Sequence, residues 1–368
     1  MADLGFPRDA AKLDADWFTQ ALRSTGTIAD DVEVADATTE QIGQGVGILA
    51  LLWRVHLTYR GGGEGPATAV LKLPHTLPES RHVADSFRFY EREVRFYEQA
   101  AERTPLRTPA RYASSFDDDD DGGGGSGDFV LLMEDMAGRT VHDQVAGCPA
   151  ADAERDLQAL AAHHAAWWNS PELPSLPWAV RVADPPNPQA LVPALRQSWP
   201  IMETRFAEYL RGPMFDAARR MPDVVVSLME RLSEPPVTLL HGDHRLDNLF
   251  FSEDDVAALD WQITGTGRGA YDVAYFLSQS IVSEERRRVE HDLVRAYHGA
   301  LVEHGVRDYS FEACWEDYRL ATLFVSVYPL NAGSVDLVND RAVELFTAML
   351  ERSVSAILDL DALELMPG

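Results

Sequence analysis

Asp243, Asp247, Asn248 and Asp260 fall within eighteen positions of the segment HGDHRLDNLFFSEDDVAALDWQITG, residues 241–265. Apolar residues separate them, so costly polar groups stand in a stretch that otherwise reads as core. LFF (249–251) and VAALDW (256–261) read as two short strands joined by SEDD, and a hairpin there returns Asp260 to the side of Asn248. An aspartate and an asparagine facing each other supply the hard oxygen ligands that suit Mg²⁺, which takes the rest of its shell from water and phosphates. Asp243 then lies nearby without being consumed by the metal, free to accept a proton from a hydroxyl. The plainer alternative is that Asp243 and Asn248 cap turns. It suits either residue alone better than it suits the whole spacing.

Such a site needs elements to hold it. VEVADATTEQIGQGVGILALLWRVHLTYRGG reads as strands either side of a glycine-rich turn, and ATAVLKLP (67–74) as a short apolar strand with one lysine. In SFRFYEREVRFYEQAA (86–101) the period changes: Phe87, Tyr90, Val94, Tyr97 and Ala101 step by three and four, a helix face. RYASSF and DFVLLMEDM are two further strands. The tract that joins them, 117–128, is rich in Asp and Gly and reads as a flexible loop. Its run of aspartates invites a metal, but flexible glycines would not hold ligands in fixed geometry. After residue 138 helix formers dominate, in AERDLQALAAHHAAWW and again near 191–232, 270–304 and 311–358. No internal repeat is visible. The expected fold is α+β and bilobal: residues 1–135 form a small antiparallel-sheet lobe with one helix, and 136–368 a larger helical lobe.

Composition narrows the function. A net charge of −27 argues against a nucleic-acid partner, which would need a basic face to displace counterions. It weakly favours a cationic small molecule. Cys148 and Cys314 are far apart and make neither a disulfide framework nor a zinc cluster. The N-terminal stretch carries acids where a secretion signal needs bases, and no apolar run approaches the roughly 20 residues that span a bilayer. A cytoplasmic protein without membrane partners, monomeric or homodimeric, is expected.

HGDHRLDN resembles the H-G-D-x-x-x-x-N catalytic loop of the aminoglycoside phosphotransferase and choline kinase-like families, relatives of the protein kinases. LDWQ, at Asp260, resembles the metal-binding segment of the same group, most closely in its ecdysteroid kinase-like branch. The resemblance implies a protein-kinase-like fold and an ATP- and Mg²⁺-dependent transfer of the γ-phosphate to the hydroxyl of a small-molecule acceptor. The acidic balance tilts the acceptor slightly towards an aminoglycoside or amino alcohol, and a macrolide, sugar, sterol or hydroxyacyl acceptor stays open. The first lobe would bind the nucleotide, and the second would hold the catalytic loop and the acceptor. The resemblance makes Asp243 the base or hydroxyl positioner, and Asn248 and Asp260 the metal ligands. Lys72 would hold the α- and β-phosphates unless it merely snorkels at a strand edge, and Glu93 would hold Lys72. The glycine-rich stretch around Gly43, Gly45 and Gly47 would cover the phosphates, although most such runs are ordinary turns. The backbone around Met133, Glu134 and Asp135 would meet the adenine edge.

Other residues keep two readings. Arg245 could stabilise charge on the transferring phosphoryl group or pair with Asp247. His241 would hold backbone, His164 would be a satisfied core histidine beside the loop, and Asp272 would anchor the loop from the next helix. Trp167, Trp168 and Trp178 could line an acceptor pocket or pack the core. The competing functions are an inactive nucleotide- or metabolite-binding relative and a protein kinase. Retention of Lys72, Asp243, Asn248 and Asp260 argues against the first. H-G-D and D-W-Q in place of H-R-D and D-F-G argue against the second.

Overall fold

The computed structural model describes residues 4–43, 49–60, 64–117, 127–210, 212–331 and 340–368. Gly45, Gly47 and positions 118–126 of the Asp/Gly tract lie outside the described residues. The chain divides into two compact units, one of residues 1–102 with 108–138 and the other of 103–107 with 139–368.

In the first unit, β1 (Glu33–Ile42), β2 (Ala50–Arg60), β3 (Thr68–Pro74), β4 (Arg111–Phe116) and β5 (Phe129–Glu134) form one antiparallel sheet. Its strand order is β1-β2-β3-β5-β4. The period of two along TAVLKLP decides what each face of β3 does. Ala69, Leu71 and Leu73 join a core with Phe18, Ala21 and Leu22 of α1 (Ala15–Ser24). Each such buried leucine or phenylalanine contributes roughly 1.5–3 kcal/mol relative to an exposed one. Lys72 points to the opposite face, towards α3 (Phe89–Gln99).

The expectation of a single helix in this lobe is corrected, because α1 and α2 (Pro78–Ser86) precede α3. α2 buries only Ala84 and so shows no apolar stripe in its sequence. In α1 the buried Phe18, Ala21 and Leu22 do form a stripe at spacings of three and four, behind the capping Asp14. The helix read over 86–101 starts at Phe89, after Arg88 in a left-handed conformation with φ 57°.

The second unit is mainly helical. Its helices are α4 (Ala150–Trp167), α5 (Asn187–Arg205), α6 (Pro213–Leu232), α7 (Ala270–Ser280), α8 (Ser283–Glu303), α9 (Phe311–Val325), α10 (Val327–Leu330) and α11 (Asp340–Asp359). α4 packs on α8, and α7 on α9. Every residue of α7 is buried. Two short antiparallel pairs complete the unit: β6 (Thr238–Leu240) with β9 (Gly265–Gly267), and β7 (Leu249–Phe251) with β8 (Val256–Ala258). The loop between β6 and β7 carries HGDHRLDN. No helix among the described residues is long and apolar enough to cross a membrane.

Candidate active site

The β6–β7 loop is fixed from beneath before its functional side chains come into play. Asp272 of α7 accepts the backbone N–H of His241 at 2.7 Å and of Gly242 at 2.9 Å. Gly242 has φ +87°, and a Cβ there would stand 2.5 Å from the Ile263 carbonyl oxygen, so only glycine fits this corner. His164 Nε2 lies 3.1 Å from Asp272 Oδ2, and its Nδ1 lies 2.8 Å from the Tyr297 hydroxyl. Burial opposes the charge of Asp272, but His164 and its histidine neighbours hold its pKa at about 2. Burial likewise lowers the His164 pKa. A neutral His164 then donates to Asp272 and accepts from Tyr297.

A second buried couple ties the loop to α4. His244 Nε2 stands 2.9 and 3.1 Å from the two carboxylate oxygens of Asp156, and neither side chain is exposed. Burial lowers the pKa of His244, yet the facing Asp156 leaves it raised overall. Gln144 completes the support, accepting the Leu246 N–H at 2.9 Å. Neither Asp156 nor Gln144 stands out as a site residue in the sequence. For Asp156 a signal exists: with Leu160, His163 and Trp167 it steps by three and four along AERDLQALAAHHAAWW, an acid on a buried stripe.

On this base the loop presents Asp243. Asn248 Nδ2 donates to Asp243 Oδ2 at 2.9 Å and to the Asp243 carbonyl at 2.8 Å. Arg245 Nε donates to Oδ1 at 3.1 Å. Burial alone would raise the Asp243 pKa, but Arg245 and then the Tyr275 hydroxyl bring it below the usual carboxylate value. Asp243 is therefore an anion at neutral pH. Tyr275, on α7, is a neighbour that the sequence does not announce. Arg245 also pairs with Asp247, one of its two readings from the sequence, and a second pair with Asp243 joins it.

The hairpin closes as expected, with Leu249 opposite Ala258. Leu259 N–H donates to the Asn248 carbonyl at 2.9 Å, which returns the chain to the loop one residue before Asp260. His241, whose pKa burial lowers, contacts the Leu259 carbonyl through Nε2 at 2.9 Å and accepts the Asp243 N–H through Nδ1 at 3.3 Å. It holds backbone on both sides of the site. Asp260 takes the left-handed conformation, φ 64° and ψ 64°, which aspartate tolerates better than most residues. Gln262 Nε2 donates to its Oδ2 at 3.3 Å. Asp255, the spare acid of the hairpin turn, is engaged by Arg139 and by Ser252.

The donor set suits a metal that brings most of its own ligands. Because the Asn248 amide turns its nitrogen to Asp243, its Oδ1 faces the other way. Among the described residues no group of three or more His, Cys, Asp and Glu could hold a metal ion. Asn248 Oδ1 and Asp260 would supply two hard oxygens to an Mg²⁺ ion, with phosphate and water completing its shell.

In the first unit, Lys72 Nζ lies 2.7 Å from Glu93 Oε2, with both side chains almost fully buried. Glu91 and Glu98 are engaged elsewhere, by Arg88 and by Arg95 with Ser114. Met133 and Glu134 end β5, where the Glu134 N–H donates to the Ala110 carbonyl at 2.9 Å. Asp135 accepts from Arg54 Nε at 2.7 Å and from the Ala137 N–H at 3.0 Å. Gly43 has φ +65°. Trp167 and Trp178 are buried and pack the core.

The model of the phosphotransferase enzyme family matches residues 54–310, more than half of the chain. Among solved structures, choline kinase from Cryptosporidium parvum is 10% identical over 88% of this chain and 89% of that chain, with a TM-score of 0.56. A Ralstonia eutropha protein described as an aminoglycoside phosphotransferase is 15% identical over 95% of this chain and 99% of its own, with a TM-score of 0.55. Plasmodium vivax ethanolamine kinase is 12% identical over 86% and 81%, with a TM-score of 0.50. At these identities the likeness is one of fold, and it is that of the small-molecule kinases. No curated protein sequence matches the chain. The family model and the fold agree, and the chain belongs to the phosphotransferase enzyme family.

Proposed function

We propose that this enzyme transfers the γ-phosphoryl group of ATP to a hydroxyl of a small molecule, with Mg²⁺ as the required metal. The observation that carries the reading is the double use of Asn248. Its amide nitrogen aligns the ionised Asp243, and we assign its oxygen, together with a carboxylate oxygen of Asp260, to a divalent ion. When bound, Mg²⁺ supplies charge neutralisation on the phosphates. Lys72, kept in place by Glu93, contributes a second positive charge to the phosphate oxygens. Asp243 orients the acceptor hydroxyl and takes its proton. The acceptor oxygen then forms its bond to phosphorus as the bond to the departing ADP oxygen breaks. Positioning and electrostatics therefore provide most of the rate.

The net charge of −27 favours amine-bearing acceptors, which come first in a screen. The nucleotide half of the reading is tested by titrating ATP with Mg²⁺ and with a chelator. Binding that weakens when the metal is removed, and in Asp260→Ala, supports the assignment. Equal affinity with and without metal would sink it.

A further inference from the structure

The sequence leaves Arg245 two roles, contact with the transferred group or an ion pair with Asp247, and the geometry lets one serve the other. A guanidinium is planar, with five N–H donors at fixed angles. Here its Nε donates to Asp243 at 3.1 Å and its Nη1 pairs with Asp247. Two carboxylates on two nitrogens fix the plane. Nη2 is then the nitrogen with no hydrogen-bond partner among the described residues.

These are not loose surface pairs: the side chains of Arg245, Asp243 and Asp247 are 20%, 12% and 27% exposed. The backbone enforces the arrangement. Arg245 is extended, and a single 3₁₀ turn over Leu246–Asn248 follows, closed by Asn248 N–H to the Arg245 carbonyl at 2.9 Å. The turn that carries Asn248 to Asp243 also carries Asp247 to Arg245.

Resting on the kinase reading above, we infer that Asp247 is a positioning residue for the transfer step. It locks Arg245 in the plane that directs Nη2 at the negative charge of the phosphoryl group in flight. Arg245 neither gains nor loses a proton; it offers a fixed donor where charge develops. Asp247 touches neither substrate nor metal, so its whole effect passes through Arg245.

The test is a double-mutant cycle with a binding readout beside turnover. Wild type, Asp247→Asn, Arg245→Ala and the double variant are titrated with ADP·Mg²⁺, and with ADP·Mg²⁺ plus aluminium fluoride as a stand-in for the transferring group. Melting temperatures are measured alongside. ADP·Mg²⁺ affinity should stay near wild type, and so should the melting temperature of Asp247→Asn. Arg245→Ala, which strips two part-buried carboxylates of their partner, should also melt lower. Asp247→Asn should weaken the fluoride complex and lower kcat by about 10–100-fold, the scale of a small misplacement at the reacting centre. In the double variant the loss should be no greater than for Arg245→Ala alone. If Arg245→Ala does not fold, Arg245→Lys replaces it, since an ammonium cannot present the planar fork. Losses that multiply in the double variant would overturn the inference, as would a fluoride complex of unchanged affinity in Asp247→Asn. If wild type binds ADP·Mg²⁺ and the cycle is flat, this inference falls and the kinase reading stands. If wild type binds no nucleotide, both fall.

Discussion

Asn248 Nδ2 lies 2.9 Å from Asp243 Oδ2 and 2.8 Å from the Asp243 carbonyl oxygen, so one amide fixes both the side chain and the backbone of the residue it serves. Asn248→Asp separates the two duties of this position. Aspartate is a competent magnesium ligand, but it has no N–H to give and sets a like charge beside Asp243. Turnover in Asn248→Asp should fall by about 100-fold, the loss expected when a catalytic group drifts by about 1 Å. Steady-state rates close to wild type would show that metal ligation is the only duty of Asn248.

The Lys72–Glu93 pair allows stability and activity to be separated. Glu93→Ala leaves a buried ammonium without its counter-charge and should cost about 3–5 kcal/mol by denaturant unfolding. Replacing both residues, Lys72→Met with Glu93→Leu, should recover most of that stability while leaving turnover absent. If the double variant kept its turnover, Lys72 would have no part in phosphate binding.

Asp272 predicts a pH signature. Its folded pKa, about 2, lies below the ordinary 3.8, so its contribution to stability is fully present above pH 3.8 and is lost as the pH falls towards 2. The size is roughly 2 kcal/mol at about 1.4 kcal/mol per unit. Unfolding free energies measured across this window should fall less steeply in Asp272→Asn than in wild type. Parallel slopes would mean that Asp272 does not carry the charge assigned to it.

The sequence and its family resemblance made the hairpin of the site legible, together with the Asp272 anchor beneath it, but not the rest of its foundation. Asp243, Asn248 and Asp260 could be read because a strand–turn–strand pattern brackets them, and the observed pairing of Leu249 with Ala258 follows that pattern. Glu93 could be preferred over Glu91 because helical spacing places it with Phe89 and Phe96, and all three are buried. The Asp156–His244 couple and the Tyr275 contact join residues 88 and 32 positions apart, which no local period reveals. α2 escaped notice because a helix that buries one alanine has almost no stripe to show. Arg245 stayed open because a side chain with five donors can satisfy two partners at once.

The most direct measurement of the central claim follows label from γ-labelled ATP into a panel of hydroxylated amines and other small alcohols, for wild type and Asp243→Asn, with nucleotide affinity titrated in parallel. Wild type should label at least one acceptor. Asp243→Asn should lower that rate by about 10²–10⁴-fold, the usual contribution of a general base, while ATP·Mg²⁺ binds almost as before. Turnover within a few-fold of wild type would remove Asp243 from the role given to it. No label in any acceptor, with ATP bound, would contradict the phosphotransfer itself.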